Sequence, residues 1–130
     1  MTLTRINPDT LNKNPSFTQV IKIANPSHFV FVGGQNGVNR EGRLIGPDLH
    51  SQTEQALKNL RIALEVADTT LDNVVKMTIY IVQGQSLQEA FAVSQEILGK
   101  DFLPPTLSVL VVAGLANPEF LIEIEAVAAQ

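Results

Sequence analysis

Alternate positions from Phe17 read Phe17, Gln19, Ile21 and Ile23, apolar except at Gln19, and after a turn at Asn25-Pro26-Ser27 comes Phe29-Val30-Phe31-Val32. Alternation and β-branched or aromatic side chains predict two strands here, joined as a hairpin. Gly33-Gly34-Gln35-Asn36-Gly37 ends the second strand and opens a loop, in which Leu44 and Ile45 are expected to add a short strand. Between Asp48 and Asp68 the pattern changes. Leu49, Ala56, Leu57, Leu60, Ala63, Leu64 and Ala67 follow a spacing of three, four and seven, and Ser51 and Glu54 stand at capping-box spacing, so a helix is predicted.

Val74 to Val82 returns to alternation, with Val75, Met77, Ile79 and Ile81 on one face and Lys76, Thr78 and Tyr80 on the other. Ser86 and Glu89 repeat the capping-box spacing ahead of Leu87, Ala90, Phe91, Ile97 and Leu98, and Gly99 sits where a helix ends, which predicts a second helix. Past Pro104-Pro105, Leu107 to Ala113 is apolar on both faces except at Ser108. Phe120 to Ala128 sets Ile122, Ile124 and Ala126 opposite Glu123 and Glu125. Both segments read as strands of one sheet.

The predicted order is ββαβαβ(β): a single α+β domain over residues 1–130, a mixed β-sheet with two helices packed on one face. Two helices cover only one sheet face, yet a strand apolar on both sides needs cover on the other. The sheet therefore predicts an oligomer built on its uncovered face. An apolar content of 45% against 17% charged points the same way.

Composition narrows the function. A net charge of −4 leaves no broad basic face for phosphates, and six Phe, one Tyr and no Trp make few stacking platforms, so nucleic acid is not an expected partner. The chain has no Cys, hence no thiolate nucleophile or thiolate metal ligand. No apolar run reaches the length of a membrane span and Met1 to Asn14 is polar, so a soluble, cytoplasmic protein with no membrane partner is the expectation. His28 and His50 stand 22 positions apart, and neither a metal nor a cofactor is expected. No Gly-x-Ser-x-Gly elbow, Walker loop or dinucleotide fingerprint occurs.

Three features remain as candidate chemistry. Gly33-Gly34-Gln35 at a strand end lets a ligand approach backbone N–H groups, or marks only a turn. Glu123 and Glu125 share a strand face opposite an apolar one, and serve either as acid, base or water-holding groups or as two solvated carboxylates. Pro104-Pro105 fixes an extended approach to the next strand and presents Thr106 rigidly at its start.

From about Phe17 to Ala128 the chain resembles the Rid/YjgF family of reactive intermediate deaminases, also called endoribonuclease L-PSP. The resemblance rests on Phe17-Thr18-Gln19, Gly33-Gly34-Gln35, Gln55-Ala56-Leu57-Lys58-Asn59-Leu60, Val74 to Tyr80 and, above all, Ile122-Glu123-Ile124-Glu125-Ala126-Val127-Ala128. It implies a chorismate-mutase-like fold, a homotrimer with ligand clefts between subunits, and cofactor-free hydrolysis of small imine or enamine metabolites. It also implies that Glu123 helps position the attacking water.

The chain departs from the pattern at the position of the family's carboxylate-binding Arg, which falls at Thr106. Its sequence neighbours Pro105, Leu107 and Ser108 supply no cation. A guanidinium grips a carboxylate through two charged hydrogen bonds and a hydroxyl through one neutral bond, so efficient deamination of 2-imino acids is not expected. Phe17 replaces the usual Tyr, and Phe91 falls where an Asn is frequent, making the cleft more apolar. The expectation is a Rid-type trimer acting on a small, less charged imine or enamine. Glu123 is assigned to catalysis, and Phe17, Gly34, Gln35, Phe91 and Thr106 to substrate binding. The alternative is a non-catalytic trimer that binds a small ligand or regulates a partner. Ribonuclease action is disfavoured by the acidic balance and the lack of paired His or His-Lys groups.

Overall fold

The structure, a computed structural model, describes residues 1–130. Its strands are β1 (Thr2–Ile6), β2 (Val20–Ala24), β3 (Phe29–Gln35), β4 (Val74–Val82), β5 (Thr106–Val112) and β6 (Ile122–Ala129). Two helices, α1 (Leu49–Val66) and α2 (Leu87–Leu98), follow β3 and β4, and a single 3-10 turn at Leu71–Asn73 precedes β4.

The main sheet runs β3-β6-β4-β5, with β4 and β5 parallel and the other neighbours antiparallel, so it is mixed as the sequence predicts. The hairpin expected between the first two sequence-predicted strands does not form. β2 pairs instead with β1 in a separate two-stranded sheet, Leu3 opposite Ile23 and Arg5 opposite Ile21. The order is βββαβαββ, one strand longer at the start than the pattern predicts. Leu44 forms only an isolated bridge with Val38, and Ile45 belongs to no strand.

Helix α1 begins one turn earlier than a Ser51 cap would place it. Asp48 is the N-cap, and its carboxylate accepts the backbone N–H of Ser51 at 2.9 Å. That bond, together with one to the Ser51 side chain, holds the Asp48 carboxyl below its usual 3.8. In α2 the predicted cap does form, with Ser86 accepting from Glu89 N–H and Gly99 closing the helix at φ +86°.

Leu57, Leu60 and Leu64 of α1 are buried against Ile122, Ile124 and Ala128 of β6, which explains the apolar phase of both segments. The second face carries no helix. Cross-strand register aligns Phe31, Val127, Lys76 and Thr106 in one row on it, with Glu125, Thr78 and Ser108 in the next. Phe29 and Phe31 are 56% and 76% exposed there, and Leu110 is exposed too. Rings of that size make this face a contiguous exposed apolar surface.

Candidate functional site

The alternation of β6 sends Ile122 and Ile124 into the core and Glu123 onto the helix-free face. There Glu123 lies over the backbone of Gly34 so closely that a Cβ on Gly34 would stand 2.5 Å from its Oε2 and 2.7 Å from its Cδ. Only glycine allows the carboxylate this position.

The other carboxylate oxygen is held. Asn36 Nδ2 donates to Glu123 Oε1 at 3.0 Å and to the Ile122 carbonyl at 3.2 Å. Asn36 is fixed in turn from α1: Asn59 Nδ2 donates to the carbonyls of Asn36 (3.1 Å) and Val38 (2.8 Å), while Gln55 donates to Asn59 Oδ1 at 2.8 Å. A row of amides therefore runs from the helix to one oxygen of Glu123 and fixes its direction. Oε2 is left to accept from a water or ligand. Sequence reasoning assigned Asn36 to a turn and did not single out Asn59. The available signal was Asn59 itself, a poor helix former in the middle of a long helix.

Glu125, two residues on, has a different task. It accepts the Tyr80 hydroxyl at 2.7 Å. That hydrogen bond, then burial and the charges of Glu125 and Glu123, raise the Tyr80 pKa above its usual 10.0. The neutral phenol is favoured in the fold, so its contribution to stability is present below pH 10.0 and is lost as pH rises through the folded value. Tyr80 is the only tyrosine and there is no tryptophan, so phenolate absorbance reports this group alone. Its titration is expected to lie above that of free tyrosine, and Glu125→Gln to bring it down. A midpoint unmoved by the substitution contradicts the pairing.

Thr106 occupies the start of β5, and its hydroxyl donates to the Val75 carbonyl at 2.6 Å. Its proton is thereby committed to the backbone. Directly across the parallel ladder stands Lys76, exposed and on the same face, with no carboxylate in ion-pair range. The sequence neighbours of Thr106 offer no cation, but this strand neighbour does. Lys76 is a point charge rather than a planar fork, so it attracts an anion without the two-point grip of a guanidinium.

Phe17 is placed by its neighbour. Buried Thr18 donates from its hydroxyl to the Pro104 carbonyl (2.6 Å) and from its N–H to the Pro105 carbonyl (3.0 Å), which fixes Phe17 beside the Pro-Pro start of β5. Phe17 and Phe91 line a groove of about 740 Å³ between α2 and the β4–β5 end of the sheet, with Met77, Ile81 and Ile122 beneath. Gln35 turns its amide back to the Gly33 carbonyl at 3.1 Å.

The assigned residues thus form two groups within one chain. Gly34, Gln35 and Glu123 lie at the β3–β6 side, and Phe17, Phe91 and Thr106 at the β5 edge. Thr106 pairs with Lys76 and Glu123 with Tyr80, which separates them by about 13 Å along the strands and about 10 Å across them. A single chain does not bring them together. No three His, Cys, Asp or Glu side chains converge on a possible metal position.

The molecule is thus an α+β protein whose four-stranded mixed sheet carries helices on one face and an oriented carboxylate on the other. The chain belongs to the Rid/YjgF family: the family model described as endoribonuclease L-PSP matches residues 9–130. A RutC family protein of Pyrococcus abyssi is 32% identical over 113 residues, 86% of this chain and 84% of that one. The fold is that of the solved YjgF/L-PSP structures. A Rid family protein from Yersinia pestis, YyfB, superposes with a TM-score of 0.88 at 32% identity over 100% of both chains. The YjgF protein of Escherichia coli gives 0.73 at 25% identity, covering 82% of this chain and 84% of its own.

Proposed function

We propose that three copies close around their helix-free sheet faces and hydrolyse a small, weakly charged imine or enamine at each seam. What carries the reading is Glu123, with Oε1 fixed by Asn36 and Oε2 poised over Gly34 on that face. The two groups of site residues also lie on different borders of the sheet, as a cleft shared between copies requires. At each seam the β5 edge of one copy, with Thr106 and Phe17, meets Glu123 and Gly34 of the next.

In this reading Glu123 takes a proton from water as the water oxygen bonds to the imine carbon. It then returns that proton to the nitrogen to give a carbinolamine; the carbinolamine's hydroxyl proton passes through the same carboxylate to the nitrogen as the C–N bond breaks, and a carbonyl compound and ammonia leave. Binding rests on Gly34 and Gln35 on one side and on Phe17, Phe91 and Thr106 on the other. No redox step is involved, so no cofactor is called for. The trimer predicts sedimentation at three times the chain mass, and Phe31→Glu, which puts a charge on the most exposed ring of that face, is expected to give monomers. A wild-type monomer defeats the reading.

The test of chemistry is a panel of imines and enamines generated in solution, with release of the carbonyl product followed. Turnover of apolar imines in preference to 2-imino acids supports the reading. Thr106→Arg supplies the guanidinium that the fold lacks, and about a tenfold gain in kcat/KM on 2-iminobutanoate is expected from one charged bidentate contact. No gain shows that Thr106 does not face the substrate. Wild-type inactivity across the panel favours a trimer that binds its ligand without converting it. The commitment of the Thr106 proton to Val75 is the observation on the side of that second reading.

A further inference from the structure

Asn36, the residue that holds one oxygen of Glu123, is followed directly by Gly37. The backbone nitrogen after an asparagine can attack the amide carbon of that asparagine's side chain, and a side chain on the following residue hinders the attack. Glycine offers no hindrance. Asn36 is the only asparagine in the chain that precedes a glycine. Asn7, Asn14, Asn25 and Asn117 precede prolines, which carry no N–H, and the others precede Lys, Arg, Leu or Val.

The fold leaves the attacking group free and restrains the group attacked. The Gly37 N–H donates to no other group of the protein, and Asn36 is only half-buried just past the end of β3. The Asn36 side chain is held by its bonds to Glu123 Oε1 and the Ile122 carbonyl, and its own carbonyl by Asn59. Ring closure therefore waits for local opening of those bonds, and the fold sets its pace.

We infer that Asn36 is a self-modification site, at which deamidation unlatches Glu123. The Gly37 nitrogen bonds to the Asn36 side-chain carbon and its proton passes to Nδ2. The bond from that carbon to Nδ2 then breaks, and ammonia leaves a cyclic imide. Water opens the imide on either side to give aspartate or isoaspartate at position 36, with no oxidant or reductant involved. Each product carries a carboxylate in place of the amide donor. A second negative charge then faces Oε1 across what was a 3.0 Å hydrogen bond, and like charges at that range repel. Isoaspartate also lengthens the backbone beside Gly37, which packs so tightly that a Cβ there would stand 2.7 Å from Gln52 Cα. The modification itself needs no ligand and no turnover; only its effect on rate rests on the hydrolytic reading.

The test incubates the full chain at mildly alkaline pH and maps it with trypsin. Cleavage after Lys22 and Arg40 isolates residues 23–40, in which fragment masses distinguish Asn25, Asn36 and Asn39. Conversion at Asn36 alone is expected, more slowly than in the same chain unfolded in urea. Asn36→Gln, whose ring would be larger, is expected to keep its mass through the same incubation. Asn36→Asp supplies the product directly. In it the NMR signals of Glu123 and of the Gly34 N–H are expected to move while those of the α1 core stay. Turnover of the imine panel should fall about a hundredfold, as misplacing a reacting group by about 1 Å does. An Asn36 that stays intact in the folded chain after the unfolded chain has converted overturns the site. Unmoved Glu123 and Gly34 signals in Asn36→Asp overturn the unlatching. Signals that move in a protein whose wild type turns over nothing in the panel remove the hydrolytic reading and uphold the modification.

Discussion

Glu123→Gln is expected to lower imine turnover by about 10²- to 10⁴-fold, the loss typical of removing a positioned general base, while the assembly and its unfolding midpoint stay unchanged. The substitution is nearly isosteric. Asn36 Nδ2 donates as well to an amide oxygen as to Oε1 of the carboxylate, so the row of amides from Gln55 through Asn59 remains intact. What disappears is the ability to take a proton from water and return it to nitrogen. Because kcat should fall with little change in KM, the loss reads as one of chemistry rather than of binding. Turnover within a factor of ten of wild type excludes Glu123 as the base. Glu125→Gln provides the contrast: its partner is the Tyr80 hydroxyl, so it should shift the phenol titration and leave turnover largely in place.

Which parts of this arrangement were legible beforehand follows from the range of the interactions that create them. The alternation of Ile122 to Ala128 fixed the strand and the opposite faces of Glu123 and Ile124, because burial on a sheet has a period of two. The apolar spacing of α1 was equally local. The β1–β2 pair was not: Thr2 to Ile6 offers only Leu3 and Ile6 as apolar residues, and its partner lies beyond a loop of more than ten residues. The expected β2–β3 hairpin was the economical short-range solution, and long-range pairing prevailed over it.

The site was legible to a similar extent. Glu123 and Gly34 show in the sequence as an acidic residue on a patterned strand and a glycine at a strand end, and the fold sets them against each other. Asn36 and Lys76 did not show, for different reasons. The bond from Asn36 to Glu123 spans 87 residues, and the neighbour relation of Lys76 to Thr106 spans 30 and depends on parallel pairing that no periodicity encodes. That a Thr stands at position 106 could be read from the chain; the ammonium opposite it needed the sheet.

Gly34→Ala isolates the geometry of the carboxylate from its chemistry. Gly34 has no positive φ, so alanine is tolerated by the backbone and the only new demand is steric. The added methyl would stand 2.5 Å from Oε2 and 2.7 Å from Cδ of Glu123, distances that no pair of such atoms sustains. The carboxylate is the far end of a flexible side chain on an open face, so it swings away at little cost, and the unfolding free energy is expected to change by less than about 1 kcal/mol. Swinging away moves Oε2 by an ångström or more and pulls Oε1 from Asn36. Misplacement of about 1 Å in a reacting group costs on the order of 10²-fold in rate. The expected result is a well-folded trimer with turnover reduced about a hundredfold, the loss falling mainly on kcat because the methyl displaces the carboxylate. Full activity in Gly34→Ala means that Glu123 works from some other position, and the catalytic role of the oriented carboxylate then fails even if Glu123→Gln proves inactive.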